Sequence, residues 1–225
     1  MQKEFINVAA HELRTPIQPI LGLTEVVYSQ IQNPEQRELL GTVVRNAKRL
    51  KRLADDIVDV TKIENQSLKL NKEQLNFNDL ISNVIYDYKN IIVEDNYKVK
   101  LHFKPFKENL IVEADKGRIA QVVSNLLSNA NKFTKDGEIF VSIDEKKEDN
   151  NNNNYALVTV RDTGEGVNPE ILPNMFSKFI TKSFEGIGLG LYISKNIIEA
   201  HGGKIWAGNN SDDGKGAIFR FTLPI

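Results

Sequence analysis

Apolar residues recur every three or four places in the first thirty positions: Phe5, Val8, Ala9, Leu13, Ile17, Ile20 and Leu21. That spacing predicts a long amphipathic helix from about Lys3 to Ile31. QNPEQ at 32–36 reads as a turn, with Pro34 suited to the first position of a new helix. A second pattern follows in Leu40, Val43, Ala47, Leu50, Ala54, Ile57 and Thr61. Its steps alternate between three and four, which marks the seam of a helical bundle. One helical hairpin buries little by itself. Two hairpins pairing as a four-helix bundle would bury both seams, so a homodimer is expected. A single hairpin packed on the downstream domain is the alternative.

The pattern changes after the polar stretch ENQSLKLNKEQ at 64–74, read as a link. Phe77 to Val93 is helical in period, Val99 to Phe106 and Asn109 to Asp115 are strand-like, and Lys116 to Phe133 is a strong helix. Glu138 to Asp144 and Tyr155 to Arg161 read as strands joined by a solvated asparagine-rich loop. Ile187 to His201 reads as a helix, and KIWAGN and GAIFRFTLP as closing strands. Long helices followed by mixed strands and helices imply an α+β chain of two domains. The expected boundaries are 1–66 for the helical hairpin, 67–74 for the link and 75–225 for the mixed domain.

One local conflict stands out. Pro16 and Pro19 fall inside the first helical pattern, just after His11. A proline there removes a helical hydrogen bond and clashes with the preceding turn, at about 3 kcal/mol. A purely structural helix has no reason to carry two, so the distortion points to reactive residues in that turn. His11 has an acid beside it in Glu12 and a hydroxyl nearby in Thr15.

Composition narrows the classes. The 225 residues carry 29 basic and 30 acidic side chains, a net charge of −1, which argues against a general nucleic-acid binder. Cysteine is absent, so disulfides, thiolate metal sites and cysteine nucleophiles are excluded. No apolar run approaches the roughly 20 residues of a membrane helix. No membrane contact is expected from this segment, and a cytoplasmic location is expected for it. The chain opens almost directly on the His11 turn and reads as part of a longer protein.

Three stretches of the second domain share a purpose. On the helix NLLSNANKF, Asn125, Asn129, Lys132 and Phe133 fall on one face. Amide carbonyls and an ammonium on one face suit a magnesium–phosphate group. DTGEGV (Asp162 to Val167) follows a strand, and Asp162 at its end can accept a hydrogen bond from an exocyclic amine. GIGLGL (Gly186 to Leu191) opens a helix with bare backbone N–H groups, which cradle phosphate. It follows no strand, so it is not a Rossmann fingerprint.

In this order the boxes resemble the ATP-binding domain of sensor histidine kinases, within the GHKL ATPase superfamily. NLLSNANKF looks like the family's N box, DTGEGV and GIGLGL like its glycine boxes, FSKF like its phenylalanine box, and FINVAAHELRTP like its H box. The resemblance implies a dimeric four-helix bundle followed by an α/β sandwich that binds ATP. It implies a protein-histidine kinase with ATP and Mg2+ as cofactors. His11 would be the phosphoacceptor, with Glu12 as base and Thr15 serving a reverse, phosphatase step. Asn129 would hold the metal, Asn125 and Lys132 would lie near the phosphates and Phe133 near the nucleotide. Asp162 would read the adenine amine. Gly164, Gly166 and Val167, then Gly186, Gly188, Gly190 and Leu191, would shape the pocket and a lid from about Phe176 to Ile187. Lys178 and Lys182 of that lid would reach phosphate. The implied partners are a second copy and the receiver domain of a response regulator. The chain departs from the family at Ile187, where threonine is usual, and in its short lid. A conformational ATPase of the chaperone or topoisomerase kind would need a glutamate on the N-box helix, which offers amides instead. A nucleotide-sensing module without catalysis is the remaining alternative.

Overall fold

The computed structural model describes residues 2–95, 98–147, 154–181, 187–210 and 215–225, with side chains for all of these except 2–11, 13 and 90–95. The chain divides into two compact units, 1–68 and 69–225.

The first unit is a helical hairpin of α1 (Gln2–Gln30) and α2 (Pro34–Glu64). Asn33 caps α2, its side-chain oxygen accepting the Gln36 N–H at 3.1 Å, and Pro34 occupies the first turn, where a missing N–H costs nothing. Ile17 of α1 and Val44, Ala47 and Ala54 of α2 are buried. Polar clasps tie the two helices: Arg14 Nη2 to Asp55 at 2.6 Å, Lys48 to Glu25 at 3.0 Å, and the Arg37 guanidinium over the Tyr28 ring at 4.9 Å. The α2 seam read from the sequence is only half used here. Ala47 and Ala54 are buried, whereas Val43 and Leu50 are exposed, as are Ile20, Leu23, Val26 and Val27 of α1. The helix α1 runs unbroken through Pro16 and Pro19. The expected distortion therefore does not interrupt the helix.

The second unit is an α/β sandwich. Its five-stranded sheet has the order β2-β4-β5-β7-β6. The strands are β2 (Val99–Lys104), β4 (Gly137–Lys147), β5 (Asn154–Asp162), β6 (Ile205–Asn209) and β7 (Ala217–Pro224). Only β2 and β4 are parallel. A short pair, β1 (Glu73–Asn76) with β3 (Ile111–Ala114), stands apart. The strand β1 begins inside the stretch read as a link, and its partner lies far along the sequence. Alternation buries one sheet face: Ile139, Val141 and Ile143, then Ala156, Val158 and Val160, then Phe219, Phe221 and Leu223. Against it lie α3 (Phe77–Asp95), α4 (Lys116–Phe133) and α5 (Gly190–Ala200). The α4 residues Ile119, Val122, Val123, Leu126, Leu127 and Ala130 fill the core at helical spacing. The remaining side of α4 is thereby left to its asparagines and lysine.

Candidate functional site

Strand β5 places the central carboxylate. Its alternation of buried residues ends on Asp162, 2 % exposed. Asp162 Oδ1 accepts the Gly164 N–H at 2.9 Å and the Ala217 N–H at 3.1 Å. Among the described residues nothing donates to Oδ2. Burial pushes the Asp162 carboxyl above the usual carboxylate range, and the two N–H bonds oppose that rise. A carboxylate oriented through one oxygen, with the other turned to a ligand, suits recognition of an exocyclic amine.

The loop after Asp162 is held from several sides. A Cβ on Gly164 would lie 2.3 Å from the Phe133 carbonyl oxygen, so only glycine lets the loop approach the end of α4. Val167 is gripped by Asn209: its N–H donates to Asn209 Oδ1 and its carbonyl accepts from Nδ2, both at 2.7 Å. That amide fixes the far end of the loop carrying Gly166.

Helix α4 supplies the second wall. Asp115 caps its start, accepting the Arg118 N–H at 3.0 Å. Asn125 donates from Nδ2 to the buried Ser194 Oγ of α5 at 2.9 Å. Asn129 is half-buried and makes no side-chain hydrogen bond among the described residues. Lys132 Nζ lies 5.9 Å from the centre of the Phe133 ring, which is itself exposed. Asn129, Lys132 and Phe133 thus share the open stretch of the face, while Asn125 is engaged by α5.

Helix α5 closes the site. Leu189 at its N-cap offers no side-chain bond, so the first backbone N–H groups, from Gly190 and Leu191 onward, carry no side-chain cap. Gly190 sits against Asn125, where a Cβ would lie 2.4 Å from Oδ1. Gly188 has φ +75°, and its carbonyl accepts the Phe179 N–H at 3.0 Å, tying the preceding segment to the helix start. Lys178 Nζ stands 5.1 Å from the Tyr192 ring. Lys182 and Gly186 lie outside the described residues, as does the lid from 182 to 186. At the far end, His201 joins α5 to α4: Nδ1 donates to the Ile197 carbonyl at 2.8 Å and Nε2 accepts the Asp115 N–H at 3.0 Å. Burial holds its pKa below the ordinary histidine value.

The phosphoacceptor candidates sit on the other unit. His11, Glu12 and Thr15 all belong to α1. Glu12 and Thr15 are exposed, and the His11 side chain lies outside those described. His11 and Thr15, four apart, share a helix face. Sequence reasoning missed Ser194, Asn209 and His201. Each acts through a contact made far along the chain, which no local pattern encodes.

Comparison with known proteins identifies the family of both units. Residues 1–66 match the family model described as His Kinase A (phospho-acceptor) domain. Residues 114–225 match the model described as histidine kinase-, DNA gyrase B-, and HSP90-like ATPase. The two matches identify the first unit as a phospho-acceptor-type hairpin and the second as a domain of the histidine kinase-, DNA gyrase B- and HSP90-like ATPase type. The chain belongs to the sensor histidine kinase family. Sensor protein SrrB of Staphylococcus aureus (strain N315) is 34% identical over 233 residues, covering 100% of this chain and 38% of that protein. The chain thus spans 38% of the curated relatives' length. Full-length ShkA in complex with AMPPNP aligns with TM-score 0.75 at 25% identity, over 98% of this chain and 45% of that one. ThkA in complex with response regulator protein TrrA aligns with TM-score 0.63 at 29% identity, over 98% of this chain and 61% of that one. Among the described residues no helix is long and apolar enough to cross a membrane.

Proposed function

We propose that this chain transfers the γ-phosphoryl group of ATP to His11 and then passes it to an aspartate of a response-regulator receiver domain. The observation that carries the reading is Asp162, buried and held through one oxygen, with the other oxygen open beside a glycine-shaped loop. The adenine amine donates to that oxygen. The uncapped start of α5 and Lys132 offer N–H groups and charge to the phosphates. The donor set fits a magnesium ion, with Asn129 supplying a carbonyl oxygen. Bound there with the nucleotide, the ion would neutralise charge on the phosphates.

The chemistry uses the residues of α1. Neutral imidazole is a nucleophile near its pKa of about 6.5. Its lone pair attacks the γ-phosphorus, the bond to the ADP oxygen breaks, and Glu12 takes the ring proton. Thr15 shares a face with His11, which suits orienting a water for the reverse hydrolysis of a phosphorylated regulator. The regulator complex of ThkA supports the choice of partner. The exposed apolar stripe of Ile20, Leu23, Val26, Val43 and Leu50 supports a homodimer joined through the hairpin.

Calorimetric titration with ADP tests the nucleotide half of the proposal. Asp162→Asn keeps the shape but turns a donor towards the amine, and at least about a tenfold loss of affinity is expected. Unchanged ADP affinity in that variant would remove adenine recognition from this site.

A further inference from the structure

The nucleotide site uses the helix-covered face of the sheet, and the opposite face carries a different chemistry. One row in register across β2, β4 and β5 sets His102, Phe140 and Arg161 side by side. The next row brings in Lys104 from β2, Arg220 from β7 and Trp206 from β6. A groove of about 550 Å3 runs along them. Among the described residues His102, Lys104, Arg161 and Arg220 line it, and no described carboxylate does. Glu138 and Asp144 stand at its border, 3.4 Å from His102 Nε2 and 3.7 Å from Lys104 Nζ. Among the described residues neither arginine has a carboxylate partner.

The side chains are ordered for contact. Phe140 stacks on His102 with centroids 4.8 Å apart, and the Arg161 guanidinium lies 4.6 Å from the centre of the Phe140 ring. Stacking already restricts the guanidinium, so less entropy is lost when it pairs. Aromatic residues with arginine, and few acids, make up the composition of interface cores. Spacing adds a second constraint. Arg161 lies opposite Ile218, so Arg220 is its diagonal neighbour. Diagonal positions are about 7–8 Å apart. Alternate residues of an extended chain are about 6.6–6.8 Å apart and point the same way. Two acids separated by one residue therefore match the two arginines.

We infer that this sheet face docks an extended acidic segment of a partner protein, with alternate carboxylates on Arg161 and Arg220 and the chain running on past Arg161 over Phe140. The groove is open rather than enclosed, which suits a segment lying across it.

Trp206 is the only tryptophan of the chain and lies directly opposite Arg220, so its emission reports on the groove. The probe is a peptide of about ten residues alternating glutamate and alanine, long enough to cross the sheet. It is titrated into the whole chain with saturating ADP, against the same peptide with glutamine. The glutamate peptide alone should change Trp206 emission saturably. Its affinity should fall at least about tenfold in Arg161→Gln/Arg220→Gln, and about tenfold as salt rises from ~50 to ~500 mM. Lys104→Gln, on an exposed edge position, should weaken it severalfold without touching the Phe140 stack. Equal binding of the two peptides, or native affinity in the arginine variant, overturns the inference. A Trp206 response to tripolyphosphate with the peptide silent replaces the segment by a small anion. A response to concentrating the chain alone replaces it by a second copy. Kinase activity is not read at any point, so the outcome is independent of the function proposed above.

Discussion

Gly164 shows how a single missing Cβ shapes the site. An alanine there would press on the Phe133 carbonyl, which is backbone and cannot swing aside. Either the Asp162 loop or the end of α4 must shift. Gly164→Ala should lower stability by about 1–3 kcal/mol and weaken ADP binding at the same time. A melt and a titration on the same variant check this; native ADP affinity with an unchanged melt would mean the close approach is not needed. Asp162 and the glycines were legible in the sequence because their chemistry is local: a carboxylate ending a strand, then residues without Cβ. Asn209 and Ser194 were not. Asn209 grips Val167 across 42 positions and Ser194 meets Asn125 across 69, and nothing in the residues beside them marks those partners. Asn125, placed by resemblance near phosphate, also donates through Nδ2 to Ser194 of α5.

At the scale of elements, periodicity carried most of the reading. The helix α4 spans Lys116–Phe133, as its buried positions predict, because six apolar residues at helical spacing leave one way to face the sheet. The strand β1 escaped because four residues with one strongly apolar side chain carry no strand signal until β3 pairs with them. Helix α5 begins at Gly190, three residues later than its apolar pattern suggests, since Gly188 takes a left-handed conformation. The hairpin yields two predictions. Leu50→Glu with Leu23→Glu puts charge on its exposed apolar stripe. Light scattering should report dimers for the native chain and monomers for this variant; a variant that stays dimeric would place the interface elsewhere. The second concerns Asp56 on α2. Burial raises its pKa to about 6, Arg52 opposes the rise, and Asp59 and Asp55 add to it. The folded state therefore holds this proton more tightly than the unfolded chain, where the value is 3.8. The stability it contributes is complete below about pH 4 and is lost as pH rises through about 6. Asp56→Asn should melt at a temperature that falls less than the native one between those pH values. Parallel pH curves for the two chains would contradict the assignment.

At the scale of the whole molecule, the two units divide the labour. One carries His11 on a helix with an exposed apolar stripe, and the other sets Asp162, α4 and the start of α5 around the site proposed for nucleotide. The two-unit organisation was legible because the two parts differ in period: a three–four seam against alternating strands. Under the proposed function, ATP held by the second unit serves His11 of the first. That claim is tested most directly by incubating the chain with γ-labelled ATP and magnesium, beside His11→Ala and Asn129→Ala. Label on the native chain should survive alkali, be lost in acid and be absent from both variants. Label persisting in His11→Ala, or a native chain that binds nucleotide and takes up none, would contradict that claim.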